Sequence, residues 1–337
     1  MRLRFYFALL LGLPLYTVAQ QPILWNNPSF EDEPAHSQPP RGWYYCDGPR
    51  ETPPDTHPGG FFDVSQTPYD GRTYLGMVAR DNGTTEGVGQ RLASLLAPGQ
   101  CYALSYYATR SPTYESISRT TAQPVLFNSP VKLQLWGGMH NCDKAMLLAQ
   151  SSAVTSTGWE KFQLTFQVQQ PFTHLFLEAA HADDGTSYNG NVLVDQLSPI
   201  LPVDCETGEV LASIASGKAA KVASAEEAEA QLDQLLRAVS VGADGSLSER
   251  VVRQPNGDYV QVNPALWQIG RLIQQLPGRQ LQVGVAGQYS QSALEELQRQ
   301  VWYSLQASGL PEHRFKIKKR ARGNRWKGDG PLRYVLK

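Results

Sequence analysis

Between Ile23 and Pro202 hydrophobic and polar residues alternate in short runs. Val131–Trp136 (VKLQLW), Phe162–Val168 (FQLTFQV) and Thr173–Glu178 (THLFLE) alternate cleanly. Gln100–Ala108 (QCYALSYYA) alternates in part, and Asn191–Leu197 (NVLVDQL) closes the set. A period of two is that of a strand with one buried face. Turn chemistry separates the runs: Pro68–Gly71 (PYDG), Asp81–Gly83 (DNG), Pro98-Gly99 and Gly185–Gly190. Short strands with no helical period between them predict an all-β, two-sheet sandwich over 23–202.

The pattern changes after Pro202. Residues 203–224 are rich in small side chains and read as a linker or an edge strand. Ser224 and Glu227 form a capping box for a helix reaching about Ala238, with Leu232, Leu235, Leu236 and Val239 on one face. Tyr259–Val262 then reads as a strand, and Asn263 caps a helix with Pro264 at its first position. Leu281, Val283 and Val285 alternate as a strand. Leu294, Leu297, Val301 and Leu305 mark a second helix that Gly309 stops. Strands around Phe315 and Ile317 and over Leu332–Leu336 complete a β-α-β-α-β-β order. Residues 225–337 are therefore expected to form a small α/β sandwich domain. No glycine-rich phosphate loop follows either early strand, so nucleotide binding is not expected.

The first residues change the compartment. Arg2 and Arg4 precede an apolar run, Phe5–Val18, broken by Pro14, with Thr17 and Ala19 suited to a cleavage site. Residues 1–19 read as a signal peptide, too short and interrupted for a membrane span. The expected location is outside the cytoplasm, in the periplasm or at the outer membrane and cell surface. A net charge of -1 excludes bulk attraction to nucleic acid. Four cysteines in an oxidising compartment suggest disulfides, with three possible pairings. Cys101 with Cys142 is the favoured bridge, because both flank strands of one sheet region, which leaves Cys46 and Cys205 paired or free.

The first domain resembles the jelly-roll carbohydrate-binding modules of xylanases and cellulases, with their galactose-binding-like fold. The resemblance is carried by NPSFEDEP (Asn27–Pro34) leading to Gly42-Trp43, by YDGRTYLGM (Tyr69–Met77) and by VGQRLASLLAPGQCYALSYYA (Val88–Ala108). GWEKFQLTF (Gly158–Phe166) and NVLVDQLSPI (Asn191–Ile200) extend it. Such modules commonly hold a structural Ca2+. Carried over, the ligands are Glu31 and Asp195 with help from Asp70. Sugar binding needs aromatic faces with polar neighbours. Trp136, Tyr188, Tyr114 and Tyr44 are the candidates, and Trp136 lies opposite the face that Leu133 and Leu135 bury. Trp43 and Trp159 read as core.

The second domain resembles the C-terminal peptidoglycan-binding domain of the outer-membrane protein A family, through VGVAGQYS (Val283–Ser290), LEELQRQVWYSL (Leu294–Leu305) and GDGPLRYVL. It departs where that family binds. The acidic residue that grips diaminopimelate falls at Ser290, and the arginine that grips its carboxylate falls at Leu297. Neither makes a charge-assisted pair, so peptidoglycan binding is not expected. Between His313 and Lys327 lies a basic run without an acid. Arg314, Lys316, Lys318, Lys319, Arg320 and Arg322 are its candidates for contact with an anionic surface. A solvated edge strand guarded by cations is the alternative.

Catalytic constellations are scarce. His181 lies near Asp183 and Asp184, and Glu115 and Glu178 are the only suggestion of a glycosidase pair. No Gly-x-Ser-x-Gly elbow or HExxH spacing occurs. The sequence points to an exported, non-catalytic envelope protein, with a glycan-binding jelly roll and a C-terminal domain that tethers it. A structural or assembly component of a secretion or motility machine, binding a protein partner, is the alternative. A hydrolase is a distant third.

Overall fold

The computed structural model describes residues 21–46, 51–183, 185–212, 214–216, 225–323 and 325–337. The signal peptide and the Ser224 cap lie outside the described residues.

The strands of the first domain are β1 (Tyr44–Tyr45), β2 (Asp55–His57), β3 (Tyr74–Ala79), β4 (Gly87–Leu96), β5 (Cys101–Thr109), β6 (Glu115–Ile117) and β7 (Pro124–Leu126). They continue with β8 (Ser129–Gly138), β9 (Met146–Gln150), β10 (Glu160–Gln167), β11 (Phe172–His181), β12 (Gly190–Asp195) and β13 (Leu201–Val203). One sheet runs β2-β3-β12-β5-β10, with β13 beside β5 where β12 leaves off. The other runs β1-β4-β11-β8-β9. A short parallel bridge between β12 and β8 joins their edges. The strand order and the two facing sheets are those of a jelly roll. Alternate residues of each strand meet between the sheets: Leu104 and Tyr106 from β5, Leu133 and Leu135 from β8, Leu175 and Leu177 from β11. Trp136 does lie on the opposite face from the two leucines.

The second domain comprises β14 (Ala215–Ser216), α1 (Ala225–Arg237), β15 (Arg250–Arg253), β16 (Tyr259–Val262), α2 (Pro264–Gln274), β17 (Leu281–Val285), α3 (Gln291–Gln306), β18 (Phe315–Lys318) and β19 (Leu332–Leu336). Asn263 caps α2 by accepting from the Leu266 N–H (3.1 Å), with Pro264 in the first turn. The element order from Tyr259 is the expected one, but the sheet is not single. β18-β17-β19 form one sheet, whereas β16 pairs with β15 in a second, with β14 alongside. The reason is local: the turn over Pro255–Asp258 makes β15 and β16 a hairpin, with the Gln254 N–H bonded to the Asp258 carbonyl (2.7 Å). The stretch read as a linker or an edge strand contributes to two sheets. Val203 belongs to β13 and is buried, and β14 pairs in parallel with β15.

The domains share a seam. Cys101, Leu201 and Val203 on the outer face of the β5 sheet pack with Val251 of β15 and Tyr259 of β16. Gln261 uses both amide atoms on the backbone of Trp25, accepting its N–H (2.8 Å) and donating to its carbonyl. Asp258 receives the Tyr107 hydroxyl (3.0 Å) and the Lys161 ammonium. The second domain thus covers the outer face of the β5 sheet, and the outer face of the β8 sheet stays open.

Two disulfides close the chain, and neither is the expected one. Cys46 bonds Cys142 and Cys101 bonds Cys205, with Cα–Cα distances of 5.2 and 5.3 Å. Cys101 and Cys142 stand on different sheets. Cys205 lies just past Val203, the register partner of Cys101, while Cys46 and Cys142 follow β1 and β8 of the other sheet. Bridging requires Cα atoms within about 7 Å. The β5–β13 pairing supplies this for Cys101 and Cys205, whereas β1 and β8 do not pair and the segments that follow them bring Cys46 to Cys142. Two disulfides point to an oxidising, exported environment. No helix of the described residues is long and apolar enough to cross a membrane.

Two outcomes follow from these contacts. Gln261→Ala leaves the buried backbone of Trp25 unpaired. It is expected to cost about 1–3 kcal/mol in urea unfolding and to speed proteolysis between the domains. His57 is fully buried, with both ring nitrogens lacking a hydrogen-bond partner, and burial drives its pKa down to about 4. Its folded pKa is below the unfolded value, so its contribution is complete above about pH 6.5 and is lost as pH falls toward 4. His57→Asn is expected to remove about 3 kcal/mol of that acid sensitivity, read as the difference between the two proteins' pH–stability curves.

Candidate functional site

The open face of the β8 sheet is built on glycines that let aromatic rings lie flat. A side chain at Gly89 would strike the Tyr44 ring at 2.4 Å, and one at Gly87 would strike Phe176 at 2.4 Å. Tyr44 comes from edge strand β1, Phe176 from β11 and Trp136 from β8, and Phe176 and Trp136 are register partners. His174 sits near Tyr44, ring centroids 6.4 Å apart, and burial with the nearby Arg91 charge lowers its pKa. Burial raises the Tyr44 pKa, so both groups are neutral at neutral pH.

Glu178, next outward on β11, organises the polar side of this face. It accepts the Trp136 indole N–H (2.9 Å), the Thr85 hydroxyl (2.6 Å) and the Lys144 ammonium (2.6 Å). The ammonium lies 4.9 Å from the Phe176 centroid and 6.0 Å from that of Trp136. Alongside is a cavity of about 320 Å³ whose lining includes Lys132, Gln134, Glu178 and His181. The Cys46–Cys142 disulfide ties the loop carrying Lys144 to the end of β1. Phe176 is itself buried (3% exposed) against the Lys144 ammonium, so the aromatic faces left to solvent are those of half-buried Trp136 and Tyr44, with fixed donors and acceptors beside them. Flat apolar rings and convergent polar groups suit the stacking of a sugar ring.

The other two aromatic candidates are not on this face. Tyr114 is buried in a side core with Tyr74 and Phe127, its hydroxyl donating to Asp55 (2.5 Å). A tyrosine beside a hairpin packs inward when a buried carboxylate is there to accept its proton. Tyr188 is half-buried against the main core. Its hydroxyl donates to the Pro130 carbonyl (2.8 Å) and accepts the Ala182 N–H (2.6 Å), so it fixes a loop. Trp43 is core, as expected, and Trp159 is partly buried against Tyr74. Sequence reasoning missed Phe176, Glu178 as a binding-face residue, and Lys144. The alternation of THLFLE placed Phe176 and Glu178 on one face and was the available signal for two of them.

Glu31, Asp70 and Asp195 do come together, and they do so at the seam. Ser29 donates to Asp70 (2.6 Å) and lies 3.2 Å from Asp195. Asp195 accepts the Asp70 and Gln196 N–H groups (2.9 and 2.8 Å), and Glu31 accepts the Arg72 N–H (2.8 Å). Helix α3 closes the cluster with hydrogen bonds from Gln306 and Tyr303 to Asp70. Burial pushes Glu31 up to about 8, with the Asp70 charge adding to it. Burial likewise raises Asp70, and it raises Asp195 well above the usual carboxylate range, again with help from Asp70. The donor chemistry is that of a calcium site. Yet among the described residues no three His, Cys, Asp or Glu side chains form a metal-binding group. The carboxyl oxygens are turned to hydrogen-bond donors, an arrangement that does not fit the ion.

The basic run divides by role. Arg314 donates to the Ile273, Leu276 and Arg279 carbonyls at the end of α2, which removes it from the free surface. Lys327 pairs with Glu229. Lys316, Lys318, Lys319, Arg320 and Arg322 are exposed and have no acidic partner among the described residues. Ser290 caps α3 by accepting from the Ala293 N–H (3.1 Å), and Leu297 is fully buried in the core. Both positions are structural. His181 is within hydrogen-bond distance of two backbone carbonyls (3.1 and 3.0 Å), Glu115 lies on the β6–β7 hairpin, and Asp184 lies outside the described residues.

No protein-family model and no curated protein matches the chain. Solved structures similar to it include carbohydrate-binding modules. The tandem CBM22-1–CBM22-2 domains of Paenibacillus barcinonensis Xyn10C are 19% identical, with a TM-score of 0.36, over 56% of this chain and 48% of that one. The single CBM22-1 xylan-binding domain of the same protein is 18% identical, TM-score 0.33, over 52% and 92%. A cyclase from Fischerella sp. TAU is 14% identical, TM-score 0.33, over 53% and 95%.

The carboxylate cluster makes a direct prediction. EDTA is expected to leave the thermal midpoint unchanged, and millimolar Ca2+ to leave it within a degree or so. A calcium-dependent rise of several degrees would show that the ion binds the folded state.

Proposed function

We propose that this chain is an exported, non-catalytic glycan-binding protein whose ligand lies along the open face of the β8 sheet. The observation that carries the reading is the pair of half-buried rings Trp136 and Tyr44 on this face, set about the buried Phe176 and flanked by Glu178, Gln134 and Lys144. Sugar rings stack on the part-exposed rings of Trp136 and Tyr44, while ring hydroxyls exchange bonds with the carboxylate, amide and ammonium beside them. Glu178 holds the Trp136 indole by its N–H, so the stacking plane is set before ligand arrives and less ordering is lost on binding. The coverage of the other sheet by the second domain supports the choice of face.

The second domain, in this reading, holds the module at the cell envelope, in the periplasm or at the outer membrane. Its exposed Lys319, Arg320 and Arg322 suit contact with an anionic surface. Without the acidic and guanidinium pair at Ser290 and Leu297, peptidoglycan is not its ligand.

Titration calorimetry of the full chain with neutral xylan and β-glucan oligosaccharides tests the reading. Binding is expected, with Trp136→Ala weakening it at least tenfold, about 1.4 kcal/mol. Tyr114→Phe is expected to leave affinity unchanged, since that ring never reaches the face. An absence of binding across neutral, acidic and peptidoglycan-derived glycans would overturn it and favour an envelope protein as partner.

A further inference from the structure

Strand register sets the open face of the β8 sheet into rows that cross the strands. Tyr44, Gly89, Phe176, Trp136 and Leu147 are successive register partners from β1, β4, β11, β8 and β9. Register partners share a face, and the next row on that face lies two residues along the strands, about 7 Å away. On one side that row is Gly87, Glu178, Gln134 and Gln150, and beyond it Ala180 pairs with Lys132. On the other side lies Gly138, where a side chain would strike the Asp143 carbonyl, so the loop that carries Lys144 closes that flank. The row that holds Trp136 is thus walled on one side and opens onto polar side chains on the other.

The polar flank holds the cavity of about 320 Å³. Gln134, Glu178, Ala180 and Lys132 line it from the sheet, and Thr186 and Ser187 from the loop before β12. Among the described residues its lining has no aromatic ring and no aliphatic side chain larger than Ala180, so an apolar group gains little by entering. Its acids and ammonium groups balance. Glu178 pairs with Lys144 (2.6 Å), and the lining adds one further acid, Asp183, and one lysine, Lys132. Neither an anionic nor a cationic ligand is selected. The lining offers instead an amide and hydroxyls, which both donate and accept, and a neutral group rich in hydroxyls matches them. The volume is at the low end for small-molecule sites, small for a chain and enough for one ring.

We propose that this cavity is a subsite for a neutral single-sugar branch, carried by a glycan whose main chain stacks on Trp136. The inference rests on the glycan reading of this face and adds the class of glycan, a branched one, that the face prefers. The branch leaves the stacked sugar along the strand direction and exchanges hydrogen bonds with the Gln134 amide and the Thr186 and Ser187 hydroxyls. A linear chain on the ring row leaves the cavity to water.

Calorimetric titration of the full chain with two matched pairs tests the subsite: xylohexaose against an arabinosyl-substituted xylo-oligosaccharide, and cellohexaose against a xyloglucan oligosaccharide. In at least one pair the branched member is expected to bind at least tenfold tighter. Ala180→Leu pushes bulk into the cavity without adding a hydrogen bond. It is expected to abolish that preference and to leave the affinity for the linear member within about twofold. In the unaltered protein, the Thr186 and Ser187 amide resonances are expected to shift with the branched member alone, a readout that needs no variant to fold. Linear members binding as tightly as branched ones in both pairs would overturn the subsite and leave the glycan reading standing. A preference that survives Ala180→Leu, or that comes without shifts at Thr186 and Ser187, would overturn it too. Binding of no glycan of either kind would overturn the reading of the face and this inference with it.

Discussion

Gln261 holds the Trp25 backbone by both amide atoms, and that bond sits at the centre of the seam on which the arrangement of the two domains depends. Around it, β15 and β16 lie on the outer face of the β5 sheet, and Asp258 is held by Tyr107 and Lys161. A buried amide that satisfies both a donor and an acceptor on a distant chain segment tolerates little displacement, because sliding would strand several polar groups at once. The two domains are therefore arranged with one sandwich face closed and the other free.

The same seam explains the carboxylate cluster. In a free sandwich, Glu31, Asp70 and Asp195 would be three acids at a surface corner. Here α3 closes over them with Tyr303 and Gln306, and desolvation raises all three groups. A buried carboxyl is tolerated when neutral or well supplied with donors, and this corner uses both means. Residues that suggest a cation in the sequence thus serve domain docking in the fold.

On the open side, glycine is the device that matters. Gly87 and Gly89 remove side chains where Phe176 and Tyr44 lie down, so Phe176 is buried against the sheet and Tyr44 lies half-buried beside it. Glu178 then fixes the neighbouring indole and the Lys144 ammonium. Three donors converge on one carboxylate here, a degree of organisation that an incidental patch of exposed side chains lacks.

Sequence alone determined the parts with short-range causes. Alternation in VKLQLW put Leu133 and Leu135 inside and Trp136 outside, and Asn263-Pro264 started α2 where expected, because both signals act within a turn or a strand. The Pro-Asn-Gly-Asp turn that makes a hairpin of β15 and β16 was legible by the same chemistry, but a helix-centred reading passed over it. What pairs with what was decided only in three dimensions. The cysteine partners, the inward turn of Tyr114, the half-burial of Tyr188 and the sheet that β16 joins all depend on contacts between residues far apart in sequence. Periodicity assigns a residue to a face; which face is then covered depends on the partner that packs against it. That is why the second domain, settling on the β5 sheet, decided which side of the sandwich stays open.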